Sequence, residues 1–386
     1  MVEDPDHDIV IVGGGPVGCA LALGLAASRR SVLLLDANAE PQPGDPRTLA
    51  LSYGSRLILE RLGAWADIEP RTEIRTIHVS QRGGFGSAVL TAADAQTPAL
   101  GYVVPYTSVQ RALHTRLSAL GNLQIQRRAR VMQVEQRLDA LRVNYADDHG
   151  HQVVTAGLTV IADGGALAQQ LAQVEVRDYR QSAVVCNITT STPNRHTAFE
   201  RFTQEGAIAL LPRATGYAVV WTVSPEKSQA LCGAKPDDFV EQLQATFGMR
   251  AGKFLSVQDR AAFPLALRVA HGSDLARMIL IGNAAQALHP VAGQGLNLGL
   301  RDAWELASRL SSAPGDADAV AIAQQFLRDR QRDRRMSVIL TDAMVRTFSN
   351  RNLALQWLRG CGLTILDCVP PAKHKFMQQM MFGSVW

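Results

Sequence analysis

The stretch Asp8–Asp36 reads DIVIVGGGPVGCALALGLAASRRSVLLLD and decides the fold. It begins with a short apolar run that is typical of a buried strand, and a second such run covers Ser31–Leu35. Between the two runs, Gly13, Gly15 and Gly18 complete a GxGxxG pattern at the start of an Ala/Leu-rich helix. The spacing predicts a strand, a tight turn, a helix and a second strand, which is the beginning of a Rossmann-type domain.

This unit predicts a dinucleotide site. Its glycines permit the tight turn and close helix packing, and the free N–H groups at the helix start can hold a pyrophosphate. Asp36 ends the second strand, 23 residues after Gly13. Its carboxylate is expected to accept hydrogen bonds from the adenosine ribose hydroxyls. Because an aspartate disfavours a 2′-phosphate, the sequence predicts FAD or NAD rather than NADP at this site.

A second glycine-rich stretch, Ile279–Asp302, reads ILIGNAAQALHPVAGQGLNLGLRD. It passes from an apolar strand-like run to a helix-like run through a loop in which Pro290 fixes a bend. Gly293, Gly295 and Gly299 allow close approach of the backbone. We expect a helix whose N-terminal N–H groups stay free for an electron-rich ligand. The alternative is a tight structural loop that binds nothing.

Composition limits the class of protein. The chain has 386 residues, of which 47% are hydrophobic and 19% charged, so we expect a folded protein with two intimate domains. The net charge of +4 is weak support for a nucleic-acid partner, and none is expected. The five cysteines are scattered without a CxxC pattern, so we expect no metal site and a reducing compartment. The acidic N-terminus is unlike a secretory signal, and no apolar run reaches the roughly 20 residues that span a bilayer.

The remaining chain alternates between strand and helix patterns. Strand-like segments cover 74–104, 123–163 and 180–225, and the last of these is expected to form a mixed sheet in a second domain. A further strand is expected to start at Phe263. Helices are predicted over Ser55–Trp65, Thr107–Leu120, Pro236–Phe247 and most of the chain after Asp302. The mixed-charge run Phe326–Arg335 is interpreted as a solvated helix face.

Three polar residues outside the glycine-rich stretches are candidates for the cleft. Arg47 follows a proline-rich loop and is either a surface arginine or a cofactor ligand. Arg111 lies near the start of a predicted helix, where it would meet a cofactor phosphate. Asp163 ends a buried strand in Ala162–Gly164, and an Asp-Gly pair taken alone is usually a turn.

These motifs together resemble the single-component FAD-dependent aromatic hydroxylases, which have the p-hydroxybenzoate hydroxylase fold. The resemblance covers nearly the whole chain, and HPVAGQGLNLGLRD is similar to the signature of the ubiquinone-biosynthesis branch. Asn283 and Gln286 replace the Asp and His usual in the family and are similar to the 2-octaprenyl-6-methoxyphenol hydroxylases. Two departures are Ile161 and Leu167, which stand where the family usually has Gly and Ser.

The resemblance implies an α/β fold with a Rossmann-type FAD-binding domain, a β-sheet substrate domain and a helical C-terminus. The FAD-binding domain would be discontinuous and comprise residues 1–75, 100–178 and 268–312. The substrate-binding sheet domain would comprise 76–99 and 179–267, and the C-terminal helical region 313–386.

The resemblance also implies an FAD-dependent NAD(P)H:oxygen monooxygenase of ubiquinone biosynthesis. NADH or NADPH would bind transiently and reduce the bound FAD. With O2 as co-substrate, the reduced flavin would form a C4a-hydroperoxide that hydroxylates the ring of a prenylated phenol of the 2-polyprenyl-6-methoxyphenol type. Alternatives are a prenyl-lipid reductase or a soluble-aromatic hydroxylase on the same fold, and a non-catalytic FAD-binding scaffold of a quinone-biosynthesis complex.

Site residues follow from the resemblance and the motifs. The residues expected to bind the cofactor are Gly13, Gly15, Gly18, Asp36, Arg47, Arg111, Asp163, Asn283, Pro290, Gly293, Gly295, Leu296 and Asn297. His289 is the candidate catalytic base toward the phenol, although a structural hydrogen bond within its loop is the alternative. An apolar groove for the prenyl tail is expected from Phe202, Leu210, Leu211 and Trp221, for which core packing is the alternative.

The expected partner is the prenylated phenol, and two further partners stay open. The C-terminal segment 352–386 carries apolar residues on a basic background, which suits a peripheral membrane contact or a quinone-biosynthesis complex. Packing of this segment on the body of the protein is the alternative. The expected location is the cytoplasm, with the inner-membrane surface as an open addition.

Overall fold

A computed structural model describes residues 4–39, 45–120, 123–271, 273–287, 293–315, 317–348 and 353–383. Within these ranges the strands are β1 (His7–Val12), β2 (Val32–Asp36), β3 (Thr48–Ser52), β4 (Thr72–Ile74), β5 (Thr76–Gln81), β6 (Ser87–Thr91), β7 (Gly101–Pro105), β8 (Leu123–Arg127), β9 (Arg130–Gln136), β10 (Leu141–Asp147), β11 (Gly150–Ile161), β12 (Val174–Thr190), β13 (Thr197–Phe202), β14 (Ala207–Pro212), β15 (Tyr217–Val223), β16 (Phe254–Ala270), β17 (Met278–Leu280) and β18 (Gln286–Ala287).

The helices of the same ranges are α1 (Pro16–Leu25), α2 (Tyr53–Arg61), α3 (Tyr106–Ser118), α4 (Ala168–Leu171), α5 (Pro225–Gly233), α6 (Pro236–Phe247), α7 (Gln294–Ser312), α8 (Ala319–Phe348), α9 (Leu353–Cys368) and α10 (Pro370–Phe382). Short 3₁₀ turns lie at Trp65–Asp67 and Gly282–Ala284.

The first large sheet has the Rossmann-type arrangement that the GxGxxG stretch predicts. Its order is β8-β2-β1-β11-β10-β9, and β17 pairs with β11. The central strand β1 runs parallel to β2 and β11, and β17 runs parallel to β11. Helices α1, α3 and α7 pack on one face through a core that includes Ile9, Ile11, Leu34 and Leu300. The carboxyl ends of β1, β2, β11 and β17 therefore meet at one edge, where ligands of such sheets bind.

The second large sheet has the order β18-β16-β12-β15-β14-β13-β5-β6. One face packs against α5 and α6 through a core that includes Trp221, Phe239 and Phe247. Helix α6 begins and ends where the sequence predicts, whereas α5 was not predicted; it is capped by Ser224, which accepts a hydrogen bond from the Lys227 N–H. The strand expected from Phe263 begins earlier, at Phe254, because β16 pairs with β12 along almost its whole length.

A small sheet, in the order β3-β7-β4, adjoins the two large ones. Strand β3 leads directly into α2, whose first turn is capped by the Ser52 side chain. Helix α2 ends at Arg61, four residues before the predicted end, and a 3₁₀ turn follows. The mixed α/β architecture with a helical C-terminus confirms the predicted fold class. The exact domain boundaries stay a prediction.

The C-terminal helices pack on the body of the protein. Helix α10 starts at Pro370 and buries Met377 and Met381 against Leu90 and Leu100. Prolines suit the first turn of a helix, so the proline pair separates α9 from α10 by starting the second helix. No helix among the described residues combines the length and the apolarity needed to cross a membrane.

Helix α8 is joined to α7 by a buried ion cluster. Arg330 Nη2 lies 2.8 Å from Asp302 Oδ1, and Arg330 Nη1 lies 2.6 Å from Asp333 Oδ2. Arg334 reaches both Asp302 and the Leu280 carbonyl. Arg330 and Asp302 are almost fully buried. The predicted solvated face was therefore wrong for these positions, because part of the mixed-charge run pairs inside the protein.

Candidate active site

A cavity of about 1230 Å³ lies between the carboxyl ends of the parallel strands of the first sheet and the second large sheet. It exceeds the roughly 300–1,000 Å³ of ordinary small-molecule sites and so has room for more than one ligand. We call its two parts the nucleotide half and the sheet half. The nucleotide half is lined by Gly13–Gly15, Asp36, Arg47, Gln110, Asp163, Asn283 and Gly293–Asn297, and the sheet half by one face of β5, β13, β14, β15 and β12.

The GGGPVG loop is shaped by steric limits at its glycines. Gly13 has φ of +111°, and a Cβ on Gly18 would lie 2.0 Å from the Gly13 carbonyl oxygen. A Cβ on Gly14 would lie 2.1 Å from Asp36 Oδ2. By contrast, a Cβ on Gly15 would meet no atom within 4 Å, and Gly15 is the N-cap of α1. The loop therefore brings the free N–H groups of α1 to an open part of the cavity.

Asp36 lies beside this loop and is almost fully buried. Its Oδ1 accepts hydrogen bonds from the Asn38 backbone N–H at 3.0 Å and from Asn38 Nδ2 at 3.3 Å. Among the described residues, Oδ2 has no hydrogen-bond donor. The carboxylate is thus held in place by one oxygen and offers the other to a ligand hydroxyl in the cavity.

The start of α7 forms the opposite wall of the nucleotide half. Gly293 caps this helix in the left-handed conformation, with φ of +59°. The Asn297 side chain donates from Nδ2 to the Gly293 carbonyl at 2.7 Å and to the Ala50 carbonyl at 2.9 Å. Its Oδ1 accepts from the Ser52 N–H at 2.8 Å and from Ser55 Oγ at 2.7 Å. Asn297 therefore fixes the helix start, and its side chain is occupied within the protein.

Gly293, Gly295, Leu296 and Asn297 all line the cavity. A Cβ on Gly295 would have only Asn283 Oδ1 near it, at 3.8 Å. The structure thus brings together the residues for which the sequence predicted backbone contacts to the flavin. His289 and Pro290 lie outside the described residues.

Asp163 and Asn283 approach the cavity on neighbouring loops. Asp163 accepts the Gly165 N–H at Oδ1, 2.9 Å, and the Leu167 N–H at Oδ2, 2.6 Å. The Asp163 carboxylate therefore fixes the turn after β11. Because the second hydrogen bond is donated by the Leu167 backbone N–H, it does not depend on the side chain at position 167, where the family usually has Ser. Asn283 is exposed to the cavity. A Cβ on Gly165 would lie 3.2 Å from the Asn283 carbonyl oxygen, so the two loops touch.

The two candidate arginines differ in position. Arg47 lines the cavity, lies 4.4 Å above the Tyr106 ring and pairs with Asp45 through Nη2 at 2.5 Å. The hydrogen bonds that Arg47 donates to the Asp45 carboxylate, together with the negative charge of that carboxylate, raise the pKa of Arg47 above its ordinary value. Arg111, in contrast, is exposed and lies outside the described cavity lining.

Gln110 occupies the position in the cavity wall that was predicted for Arg111. Because successive residues of a helix are rotated by about 100°, the side chain before Arg111 points inward. Gln110 is buried, it lines the cavity, and its Oε1 has no hydrogen-bond partner among the described residues. In the sequence, Gln110 and Arg111 both lie off the apolar stripe of the predicted helix, so the pattern did not show which of the two side chains reaches the cavity.

The sheet half is mostly apolar, and it corrects part of the predicted groove. Phe202 and Leu211 line the cavity as predicted. Leu210 and Trp221 do not, because side chains alternate along a strand and these two point into the core beneath α5 and α6. Helices α9 and α10 add Leu363, Leu366, Phe376 and Met380 to the lining, which the sequence did not indicate.

One acidic side chain in the sheet half was missed. Glu200 on β13 lines the cavity, and burial raises the pKa of its carboxyl to about 7. The strand reads TAFERF and has no clean alternation of polar and apolar residues. Its polar faces could therefore not be assigned from the sequence.

The nucleotide half fits a dinucleotide. Gly15 leaves space where a side chain would block a pyrophosphate, Asp36 offers a buried carboxylate oxygen, and Gln110 carries an unpaired buried acceptor. The starts of α1 and α7 supply free N–H groups at two places along the same cavity. A flavin dinucleotide has electron-rich groups at both ends of such a path.

Comparisons with known proteins agree with this site. Residues 6–332 match the FAD binding domain family. The chain is 32% identical to the ubiquinone hydroxylase UbiL of Rhodospirillum rubrum, over 98% of this chain and 90% of the relative. It is 30% identical to the 3-demethoxyubiquinol 3-hydroxylase of Escherichia coli, over 94% of this chain and 95% of that one.

Solved structures show the same fold. The p-nitrophenol 4-monooxygenase PnpA from Pseudomonas putida superimposes with a TM-score of 0.78, over 98% of each chain, at 17% sequence identity. The predicted family, enzyme class and FAD cofactor are thereby confirmed. The chain belongs to the FAD-dependent aromatic monooxygenases, in the branch that contains the ubiquinone hydroxylases.

Proposed function

We propose that this enzyme hydroxylates the ring of a prenylated phenol of the 2-polyprenyl-6-methoxyphenol type in ubiquinone biosynthesis. NADH or NADPH is the transient reductant and O2 the co-substrate. The observation that carries the proposal is the continuity of the cavity, in which an apolar sheet half follows directly on the dinucleotide-binding half. The names of the ubiquinone hydroxylase relatives support the same class of substrate.

Each part of the nucleotide half has a task in holding FAD. Gly13, Gly15 and Gly18 shape the turn beneath the pyrophosphate, and Asp36 accepts a ribose hydroxyl. Arg47, Gln110, Asp163 and Asn283 would hold the middle of the cofactor, and the N–H groups at the start of α7 would hold the flavin end. When bound, the flavin supplies hydride acceptance and transfer of a hydroxyl group from O2 to the ring. The chain itself orients the ring, excludes water and stabilises charge.

The sheet half has the chemistry required for an isoprenoid tail. Phe202, Leu211, Leu366 and Met380 offer apolar contacts, and burial of an apolar tail contributes about 25 cal/mol per Å². Leu358 both lines the cavity and is 64% exposed, so it lies at the rim. A long tail can leave the cavity along this side of α9.

We propose peripheral contact with the cytoplasmic surface of the inner membrane through α9. Trp357, Leu358 and Ile365 are exposed on this helix, and Lys375 is exposed on α10. Exposed apolar side chains on one helix, with an exposed basic side chain on the next helix, favour an anionic lipid surface. The contact would let a lipid-dissolved phenol enter at the Leu358 rim. A protein of a quinone-biosynthesis complex is the competing occupant.

The central experiment is a turnover assay with labelled oxygen. The purified protein is expected to show a flavin spectrum and to oxidise NADH or NADPH faster when a prenylated methoxyphenol is added. Under ¹⁸O₂, one labelled oxygen atom is expected in the phenol product. Flavin without labelled product would favour a reductase or a non-catalytic scaffold, and a protein that cannot be loaded with flavin would contradict the proposal.

A further inference from the structure

Glu200 is an isolated carboxylate in the sheet half. Its pairing register places it in a row with Val79 of β5, Ala209 of β14, and, one strand further, Val220 of β15. Val185 of β12 pairs with Val220 and continues the row. All five residues line the cavity. A carboxylate therefore lies second in an otherwise apolar row of five side chains on the wall of the cavity.

Nothing in the described part of the protein neutralises this carboxylate. No hydrogen bond or ion pair involves its side chain, and burial is the cause of its raised pKa. The other charged side chains that line the cavity are Asp36, Asp45, Arg47 and Asp163 in the nucleotide half, together with Arg268 of β16 and Arg359 of α9. The strands beside β13, namely β5 and β14, contribute only apolar side chains to the lining near Glu200.

A polar group that is enclosed by apolar side chains and lacks a hydrogen-bond partner destabilises the protein, and the effect is larger when the group is charged. Core packing does not require a carboxylate here, because Val79 and Ala209 show that apolar residues suit the same row. The cavity beside Glu200 is also where the proposed substrate would lie. A hydroxyl of that substrate is the group that would satisfy the carboxylate.

We propose that Glu200 is a catalytic residue that accepts the hydrogen bond of the substrate's phenolic hydroxyl and takes its proton as the ring is hydroxylated. This inference rests on the proposed function. In the step, the phenolic O–H bond breaks, the proton moves to a carboxylate oxygen of Glu200, and the electron pair stays on the phenol oxygen. That pair raises the electron density of the ring carbon that receives the hydroxyl group.

The environment of Glu200 suits this role in two ways. A general base works best when its pKa lies near the working pH, and burial moves the carboxyl in that direction. The apolar row also strengthens the hydrogen bond between the hydroxyl and the carboxylate, because little water competes for it. The base is thereby supplied by the sheet and not by the glycine-rich loop that contains His289.

The first test measures binding, using a prenylated methoxyphenol and its methyl ether, which lacks the phenolic O–H. Both are titrated into the FAD-loaded protein at pH 8, with the flavin absorbance as signal. The wild-type protein is expected to bind the phenol roughly tenfold or more tightly than the ether. Glu200→Leu should bring this ratio close to one, whereas Glu200→Gln should keep part of it because the amide oxygen still accepts.

The second test measures turnover. Glu200→Gln cannot take a proton, so its kcat is expected to fall roughly a hundredfold, with a smaller change in KM. The wild-type kcat/KM, which reports the pKa of groups in the free enzyme, should rise with pH through about 7, and this rise should be absent in the variant. Glu241→Gln removes an exposed carboxylate from α6 and should leave the phenol-to-ether ratio and kcat unchanged.

The outcomes separate this inference from the proposed function. A wild-type protein that makes no hydroxylated phenol contradicts the function, while the binding ratio still tests Glu200. Hydroxylation with the same ratio and the same pH profile in the Glu200 variants overturns the inference alone. If the variants do not fold, the phenol-to-ether binding ratio of the wild-type protein is measured from pH 5 to pH 8. The inference requires this ratio to increase as Glu200 ionises, and a constant ratio overturns it.

Discussion

The nucleotide half and the sheet half of the cavity differ in how the protein holds their charged side chains. In the nucleotide half, the side chains of Asp163 and Asn297 make hydrogen bonds to backbone or hydroxyl groups of the protein, and Arg47 forms an ion pair with Asp45. In the sheet half, Glu200 stands among apolar side chains without a partner in the described structure. In the nucleotide half the protein itself fixes these side chains, whereas in the sheet half the Glu200 carboxylate is left to hydrogen-bond with the substrate.

This difference separates cofactor binding from chemistry. The nucleotide half offers backbone N–H groups that are fixed before the ligand arrives, which favours tight and permanent binding. The sheet half offers apolar area and one reactive group, which suits a substrate that must enter and leave. Variants that disturb one half should therefore leave the other measurably intact.

The largest effect is expected from Gly18→Ala. The added Cβ would lie 2.0 Å from the Gly13 carbonyl oxygen, so the loop and α1 must move apart. We expect a loss of about 3 kcal/mol in the free energy of unfolding and failure to retain FAD. Gly15→Ala is the matched control, because its Cβ meets no protein atom and should weaken FAD binding without changing apoprotein stability. Equal stability losses in the two variants would contradict the steric account.

The next effect is expected from Asn297→Ala. The change removes four hydrogen bonds, of which three connect the start of α7 to Ala50, Ser52 and Ser55 and one holds the Gly293 carbonyl. We expect a loss of about 2–3 kcal/mol in chemical denaturation, together with weaker flavin retention. The phenol-to-ether binding ratio of molecules that still hold FAD should be unchanged. A change in that ratio would show that the two halves are coupled.

A third prediction concerns pH and Glu200. Its folded-state pKa of about 7 lies above the ordinary 4.5, so ionising it in the folded protein is unfavourable. This penalty is absent below about pH 4.5, grows as the pH rises, and is complete above pH 7. Glu200→Gln removes it, and the apoprotein variant should gain on the order of 2 kcal/mol over wild type between pH 5 and pH 8. Denaturation curves of both proteins at the two pH values test this, and parallel pH dependences would contradict it.

The smallest effect concerns the rim of the sheet half. Trp357→Ser should weaken binding to vesicles that contain anionic lipid roughly fivefold, about 1 kcal/mol, without changing turnover of a short-tailed phenol. Leu138→Ser is the control, since Leu138 is exposed on another part of the surface. If the wild-type protein does not bind vesicles but binds a protein partner through α9, the membrane proposal is wrong and the protein partner takes its place.

The nucleotide half could be predicted because its geometry depends on backbone conformation. Gly13 and Gly18 occupy positions where a side chain would clash with the backbone, so their spacing in the sequence directly indicates the conformation of the loop. The sheet half could not be predicted in the same way. The expected groove residues Leu210 and Trp221 point to the opposite face, and Glu200 went unnoticed, since the strand register decides which alternate side chains reach the cavity. Gln110 and Arg111 are neighbours on α3, and a rotation of about 100° between them decides that Gln110 and not Arg111 lines the cavity.

The ion cluster between α7 and α8 has a consequence for dissecting the enzyme. A chain shortened after Ser312 would retain Asp302, which is fully buried, but would lose its partners Arg330 and Arg334. Removing one side of such a pair typically costs about 3–5 kcal/mol. Because Asp302 lies on α7, the helix that follows the cofactor loop, and accepts a hydrogen bond from the Gly282 N–H at 3.4 Å, the damage would reach the flavin end of the site. A minimal cofactor-binding fragment of this protein must therefore include α8.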